Sequence, residues 1–281
     1  IPANAHAGTL AASGAARGGV EELDMINYDF RGRLQYIPGG ALNVQMSAWP
    51  ATTSAYKTNL VSWWALDETS GTRYDAHGSN DLTDVNTVGY GTGKVSNGAD
   101  FVAANVEYFT VDSNSTLQTG GTDFTVTLWF YTHAIAINNS YLISKVATSN
   151  LEFQLTIRYV DNLLRFVLWD AGTTAKALNS SVAISINTWY FAAIRWNNTT
   201  KLQEVIINAG TPTTATQTGA AITSGTAPFR IANSAGGVAP VDSTVNYDGL
   251  IDEVAFWKRV LTNDEVSWLY NAGNGRAYSE L

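Results

Sequence analysis

The sequence predicts an all-β protein built as a two-sheet antiparallel sandwich, and three observations carry that expectation. Composition is the first: 45% of residues are hydrophobic and only 14% charged, against roughly 25% charged in an average soluble chain. Gly, Thr, Asn and Ser are abundant, as in loop-rich β proteins. Period-two alternation is the second. In "DFTVTLWFY" Phe124, Val126, Leu128 and Phe130 point one way, and Thr125, Thr127, Trp129 and Tyr131 the other. The third is turn chemistry between such runs, plainest at Asp161-Asn162 and Asn208-Ala209-Gly210.

Taken in order, residues 1–58 read as an extended N-terminal arm. "AHAGTLAASGAARGG" has neither a helical nor a strand period, and "LDMINYDFRGRLQYIPGG" has only a few apolar anchors. Residues 59–281 read as the sandwich domain. Its clearest strands are "LVSWWALDE", "DFTVTLWFYT", "LEFQLTIRYV", "NLLRFVLWD", "TWYFAAIRWN", "LQEVIINAG", "APFRIAN" and "GLIDEVAFWK". Alternation such as Phe153, Leu155 and Ile157 against Gln154, Thr156 and Arg158 implies one wetter face. A single short C-terminal helix follows in "TNDEVSWLYNAG". Thr262 or Asn263 caps it, Asp264 and Glu265 sit where the dipole favours anions, and Gly273 offers a left-handed stop.

Charge and residue usage exclude several functions. A net charge of −8 argues against nucleic acid, whose backbone needs clustered Lys and Arg. With no cysteine there is no disulfide, thiolate nucleophile or Cys-ligated zinc, a pattern that points to a bacterial or phage source. No apolar run approaches the roughly 20 residues of a membrane-spanning helix. His6, His77 and His133 are too scattered to suggest a triad or zinc site.

Three stretches carry a family resemblance: "LVSWWALDETSGTRYDAHGSNDLTD" (60–84), "GTGKVSNGADFVAANVEYFTV" (91–111) and "GLIDEVAFWKRVLTNDEVSWLY" (249–270). In this order they resemble the laminin G-like, pentraxin-like branch of the concanavalin A-like lectin/glucanase superfamily. The resemblance implies a jelly roll and, since that fold hosts lectins, adhesion modules, hydrolases and virion proteins, leaves function open. In the arm, "EELDMINYDFRGRLQYIPGG" faintly resembles phage tail and neck proteins.

The resemblance also supplies candidates. Glucanases of this superfamily use an E-x-D-x-x-E strand; the nearest text, Glu22 to Asn27, lacks the third carboxylate, so a glycoside hydrolase is disfavoured and no enzyme is expected. The doublet Asp252-Glu253 lies in a strand, where neighbours point to opposite faces and cannot flank one bond. Relatives hold calcium, which implies Asp67, Asp100 and Asp252 as oxygen donors; the alternative is that Asp252 bonds backbone amides. Trp169, Trp196 and Tyr159 are candidates for a glycan platform, with Arg158 and Arg195, or else core aromatics. Arg158, Arg165 and Arg195, on three central strands, are candidates to bind an acidic sugar or else to pair with local carboxylates. Tyr28, Phe30, Arg31, Arg33 and Tyr36 are the expected assembly contacts of the arm. The functional expectation is a non-catalytic, surface-exposed structural or binding protein. The leading form is a phage virion decoration or tail-associated subunit, docked to virion or surface proteins through its arm and binding host glycans. The alternative is a bacterial extracellular adhesion module; either can form a homo-oligomer.

Overall fold

In the computed structural model the described residues are 33–36, 42–45 and 54–281, apart from 136–138, 148–149, 171–174, 220–221, 223 and 236–245. The chain divides into two compact units, Ile1–Trp49 and Pro50–Leu281. In the first, β1 (Arg33–Tyr36) and β2 (Leu42–Gln45) pair antiparallel, flanking the Pro38-Gly39-Gly40 turn signal. Tyr28, Phe30 and Arg31 lie outside the described residues, as do the side chains of Arg33 and Tyr36.

The second unit opens with the short helix α1 (Ser54–Lys57). Strands β3 (Leu60–Trp64), β4 (Thr83–Val85), β5 (Gly89–Thr92), β6 (Asn97–Phe101), β7 (Tyr108–Val111) and β8 (Phe124–Ala134) follow. Then come β9 (Ser140–Ala147), β10 (Asn150–Ile157), β11 (Leu163–Trp169), β12 (Ala175–Ala183), β13 (Trp189–Asn197) and β14 (Leu202–Ile207). The run ends with β15 (Thr213–Thr216), β16 (Phe229–Ile231), β17 (Asp248–Trp257) and helix α2 (Asn263–Tyr270). A seven-stranded sheet has the order β12-β11-β10-β9-β16-β7-β4. An eight-stranded sheet runs β15-β14-β13-β8-β17-β6-β5, with β3 also paired to β17.

The main core lies between the sheets, where alternate residues of both interdigitate. Phe124 of β8 meets Phe153 of β10 at 4.9 Å between ring centroids, and Trp64 of β3 stacks on Phe229 of β16 at 5.2 Å. The opposite face of the eight-stranded sheet is also covered. Trp63, Trp129, Phe191, Ala255 and Trp257 pack there with Tyr56, Val266, Leu269 and Leu281. Helix α2 therefore plates one side of the sandwich, and the wetter face belongs to the seven-stranded sheet.

Helix α2 starts as its sequence requires. Thr262 caps it, its hydroxyl accepting from Glu265 N at 3.2 Å while Glu265 accepts from Thr262 N at 2.8 Å, a capping box. The stop comes earlier than Gly273: Asn271 takes the left-handed conformation at φ 49°, which asparagine tolerates better than most residues.

Candidate functional site

The acid doublet is the first place where the structure departs from simple alternation. A bulge interrupts the β17–β8 register between Asp252 and Ala255, and Glu253 has φ 48°. Ile251 and Val254 both face the inter-sheet core, so the two acids between them turn to the same outer side of the eight-stranded sheet. The expectation of opposite faces is corrected: an extra residue in one strand shifts the pleat by one. Asp252 Oδ2 accepts from Lys94 N at 2.6 Å and Val95 N at 2.8 Å, and Glu253 accepts from Trp63 Nε1. Asp67 accepts from Asn97 N at 3.0 Å. The three motifs of the sequence thus meet here. Gly93 is required because an added Cβ would stand 2.3 Å from Asn97 O and 2.7 Å from Asp252 Oδ2.

Both carboxyls are buried, at 0% and 3% exposure, which closes them to any substrate. Asp252 Oδ1 and Glu253 Oε1 have no hydrogen-bond partner among the described residues. Burial pushes Asp252 up to about 8 against the pull of the Val95 and Lys94 amides. Burial, then the charge of Asp252, raises Glu253 to about 9. A calcium ion needs 6–8 oxygens, and among the described residues no three His, Asp or Glu side chains form a group able to hold a metal. Asp100 lies apart from the doublet, 3.9 Å from His133, which also approaches Asp248 at 3.6 Å. Asp75 is a turn former, accepting from the amides of Trp63, His77 and Gly78 at 3.0, 3.0 and 2.9 Å.

The five expected glycan contacts do not converge either. Arg195 is buried on the plated side, paired with Glu204 at 2.9 Å and donating to Leu261 O at 2.6 Å, where it anchors the start of α2. Trp196 is 3% exposed within the main core. Both are corrected to structural roles, because in β13 alternation sends one under the helix and the other between the sheets. Arg158 pairs with Asp161 at 2.8 Å in the β10–β11 turn beside the half-exposed Tyr159. Trp169 ends β11 on the outer face of the seven-stranded sheet, half-buried.

That outer face mixes polar and aromatic groups. Register places Arg230 of β16 beside Thr110 of β7 and Ser144 of β9, and Ser144 beside Gln154 of β10. One pleat further along, Thr156 lies between Tyr141 and Arg165, and Arg165 beside Asn179. Tyr108, Tyr141, Gln154, Arg165, Asn179 and Arg230 are all half-buried. Gln154 hydrogen-bonds the Tyr141 side chain, although burial still raises the phenol above its usual range. Arg230 stacks on Tyr108 at 4.6 Å, and burial lowers its guanidinium. Arg230 Nε and Asn179 Oδ1 are buried and have no hydrogen-bond partner among the described residues. Sequence reading passed over Tyr108, Tyr141 and Arg230. The signal for the last was the alternation of Phe229-Arg230-Ile231.

A family profile described as the concanavalin A-like lectin/glucanases superfamily matches residues 104–267, more than half of the chain. No curated protein matches by sequence. Among solved structures, the binding domain of Paraclostridial Mosquitocidal Protein 1 is similar at TM-score 0.64 and 17% identity, covering 78% of this chain and 53% of that one. Domain 4 of AbnA, a GH43 extracellular arabinanase from Geobacillus stearothermophilus solved with arabinotriose, gives 0.55 and 16%, covering 74% and 97%. The botulinum neurotoxin serotype D ligand-binding domain with N-acetylneuraminic acid gives 0.59 and 15%, covering 78% and 52%. The chain thus spans about half the length of the toxin domains, and at these identities the likeness is one of fold. Matched profile, shared fold and two packed antiparallel sheets agree that the chain belongs to the concanavalin A-like lectin/glucanases superfamily.

Proposed function

We propose that this chain is a non-catalytic glycan-binding module, and that sugar lies on the outer face of the seven-stranded sheet. The observation that carries the reading is the half-buried row from Tyr108 to Asn179 on the outer face of the seven-stranded sheet, over which no helix of the described residues packs. Rings of Tyr108 and Tyr141 offer apolar surface to a pyranose face, while Gln154, Asn179 and the arginines hydrogen-bond hydroxyls. The likeness to an arabinanase domain solved with arabinotriose supports a sugar ligand. The acid doublet supplies no catalytic pair, being sealed from solvent. A glycan array probed with the full chain tests this: binding to at least one class of oligosaccharide, lost in Tyr141→Ala, is expected. An array with no bound glycan removes the reading.

A second reading places the module on an assembled surface, such as a virion, with residues 1–49 as the docking segment. Its support is the division of the chain at Trp49–Pro50. Removing residues 1–49 is then expected to abolish co-sedimentation with source particles while leaving glycan binding intact; unchanged co-sedimentation would sink it. Among the described residues no helix is long and apolar enough to cross a membrane.

A further inference from the structure

We infer that the ligand of this face is an acidic oligosaccharide, long enough to engage Arg165 and Arg230 at once. The inference rests on the glycan-binding reading above and adds the charge and minimum length of the ligand.

Arg158, Arg195, Arg259 and Arg276 each pair with a carboxylate, Asp161, Glu204, Glu265 and Glu280 respectively. Arg73 is buried, donates to the carbonyls of Gly71 and Val88, and lies over Phe109. Arg165 and Arg230 remain, and among the described residues neither has a carboxylate partner. Arg230 donates to Asn233 Oδ1 and Ser234 O through Nη1, and its Nε is buried without a partner among the described residues. The Arg165 side chain makes no hydrogen bond to the described residues. In a chain of net charge −8, these two guanidiniums stand on one sheet face without a carboxylate partner among the described residues. Half-burial strengthens their demand for an anion, because a partly desolvated charge is poorly screened.

Geometry sets the length. From β16 through β9 and β10 to β11 is three strand spacings, about 14 Å at ~4.8 Å each. One monosaccharide does not reach both arginines, whereas an oligosaccharide lying across the strands does. Between them it meets Tyr141 and Gln154, an aromatic face and an amide suited to a neutral stretch of sugar. Guanidinium fits planar carboxylate or sulfate oxygens bidentately. Two cations in an acidic protein are too few for a nucleic-acid backbone.

The test uses the full chain on an array of neutral, uronate, sialylated and sulfated oligosaccharides. Affinities for tetragalacturonate, a sialic acid tetramer and a chondroitin tetrasaccharide, each with its carboxyl-reduced form, follow. Expected is preference for acidic glycans, at least tenfold weaker binding after carboxyl reduction, and a comparable loss in Arg165→Gln, the size of one charge-assisted contact. Arg165→Gln removes no described hydrogen bond, so its melting temperature should match the parent and separate binding from folding. Arg230→Gln should weaken binding too, and a tetramer should outbind its monomer. If neutral sugars bind as well as acidic ones, or Arg165→Gln binds unchanged, the inference falls while glycan binding stands. If only DNA or inorganic polyphosphate binds, or no sugar binds, the glycan reading falls with it.

Discussion

Asp252 and Glu253 show how far one backbone angle reaches. With Glu253 left-handed at φ 48°, both carboxyls enter one buried site and hold their protons more tightly than in the unfolded chain. The folded state therefore binds more protons from the ordinary carboxylate range up to about pH 8 for Asp252 and about 9 for Glu253. Stability is greatest at the acid side of this window and falls as pH rises through it. Thermal melts in EDTA between pH 5 and pH 9 should show this decline, and Asp252→Asn with Glu253→Gln should flatten it; a parallel decline in the double variant would contradict the assignment. Arg195 illustrates the opposite case, a charge buried with its partner. Arg195→Ala leaves Glu204 unpaired and removes the tie to Leu261 O, so a loss of about 3–5 kcal/mol is expected in urea unfolding.

At the scale of elements, helix α2 gains little from intrinsic helicity at eight residues. It is held by its cap and by Val266 and Leu269, buried against Trp63, Trp129 and Trp257, each such aliphatic side chain being worth about 1.5–3 kcal/mol. Thr262→Ala should cost about 1 kcal/mol as a lost cap. Glu265→Ala should cost more, because Glu265 also receives both Nη groups of Arg259 at 2.8 and 2.7 Å. Denaturant melts of the two variants give the order, and equal costs would show that the Arg259 pair contributes nothing. Strand β17 depends on Gly249: its φ is +141°, and an added Cβ would stand 2.1 Å from Tyr131 O. Strands β9 and β12 were harder to foresee. β9 carries a bulge and turns Lys145 inward to Glu152 at 2.7 Å, while β12, "AKALNSSVA", is a small-residue edge strand. Both blur the period on which strand recognition depends.

For the whole molecule, the decisive feature is asymmetry between the two outer faces. Helices and the C-terminal segment plate the eight-stranded sheet, whereas the seven-stranded sheet keeps a half-buried polar and aromatic row. A fragment of residues 50–281 contains both clusters and should fold alone with the melting temperature of the full chain. Loss of cooperative melting in that fragment would show that residues 1–49 complete its core.

The sequence by itself determined the all-β sandwich, the C-terminal helix with its cap, and the motif trio that identifies the superfamily. Each is written in short-range patterns: alternation, capping residues and turn chemistry. The motifs' common purpose was not legible, since Gly93-Lys94, Asp67 and Asp252 meet only once β17 is paired. Nor was it legible which arginines are spoken for. Arg195 and Arg165 look alike in sequence, yet strand order and register place one beneath α2 beside Glu204 and leave the other without a carboxylate among the described residues. Burial and counter-ion pairing are properties of the folded neighbourhood, so only tertiary structure decided which residues remain to meet a ligand.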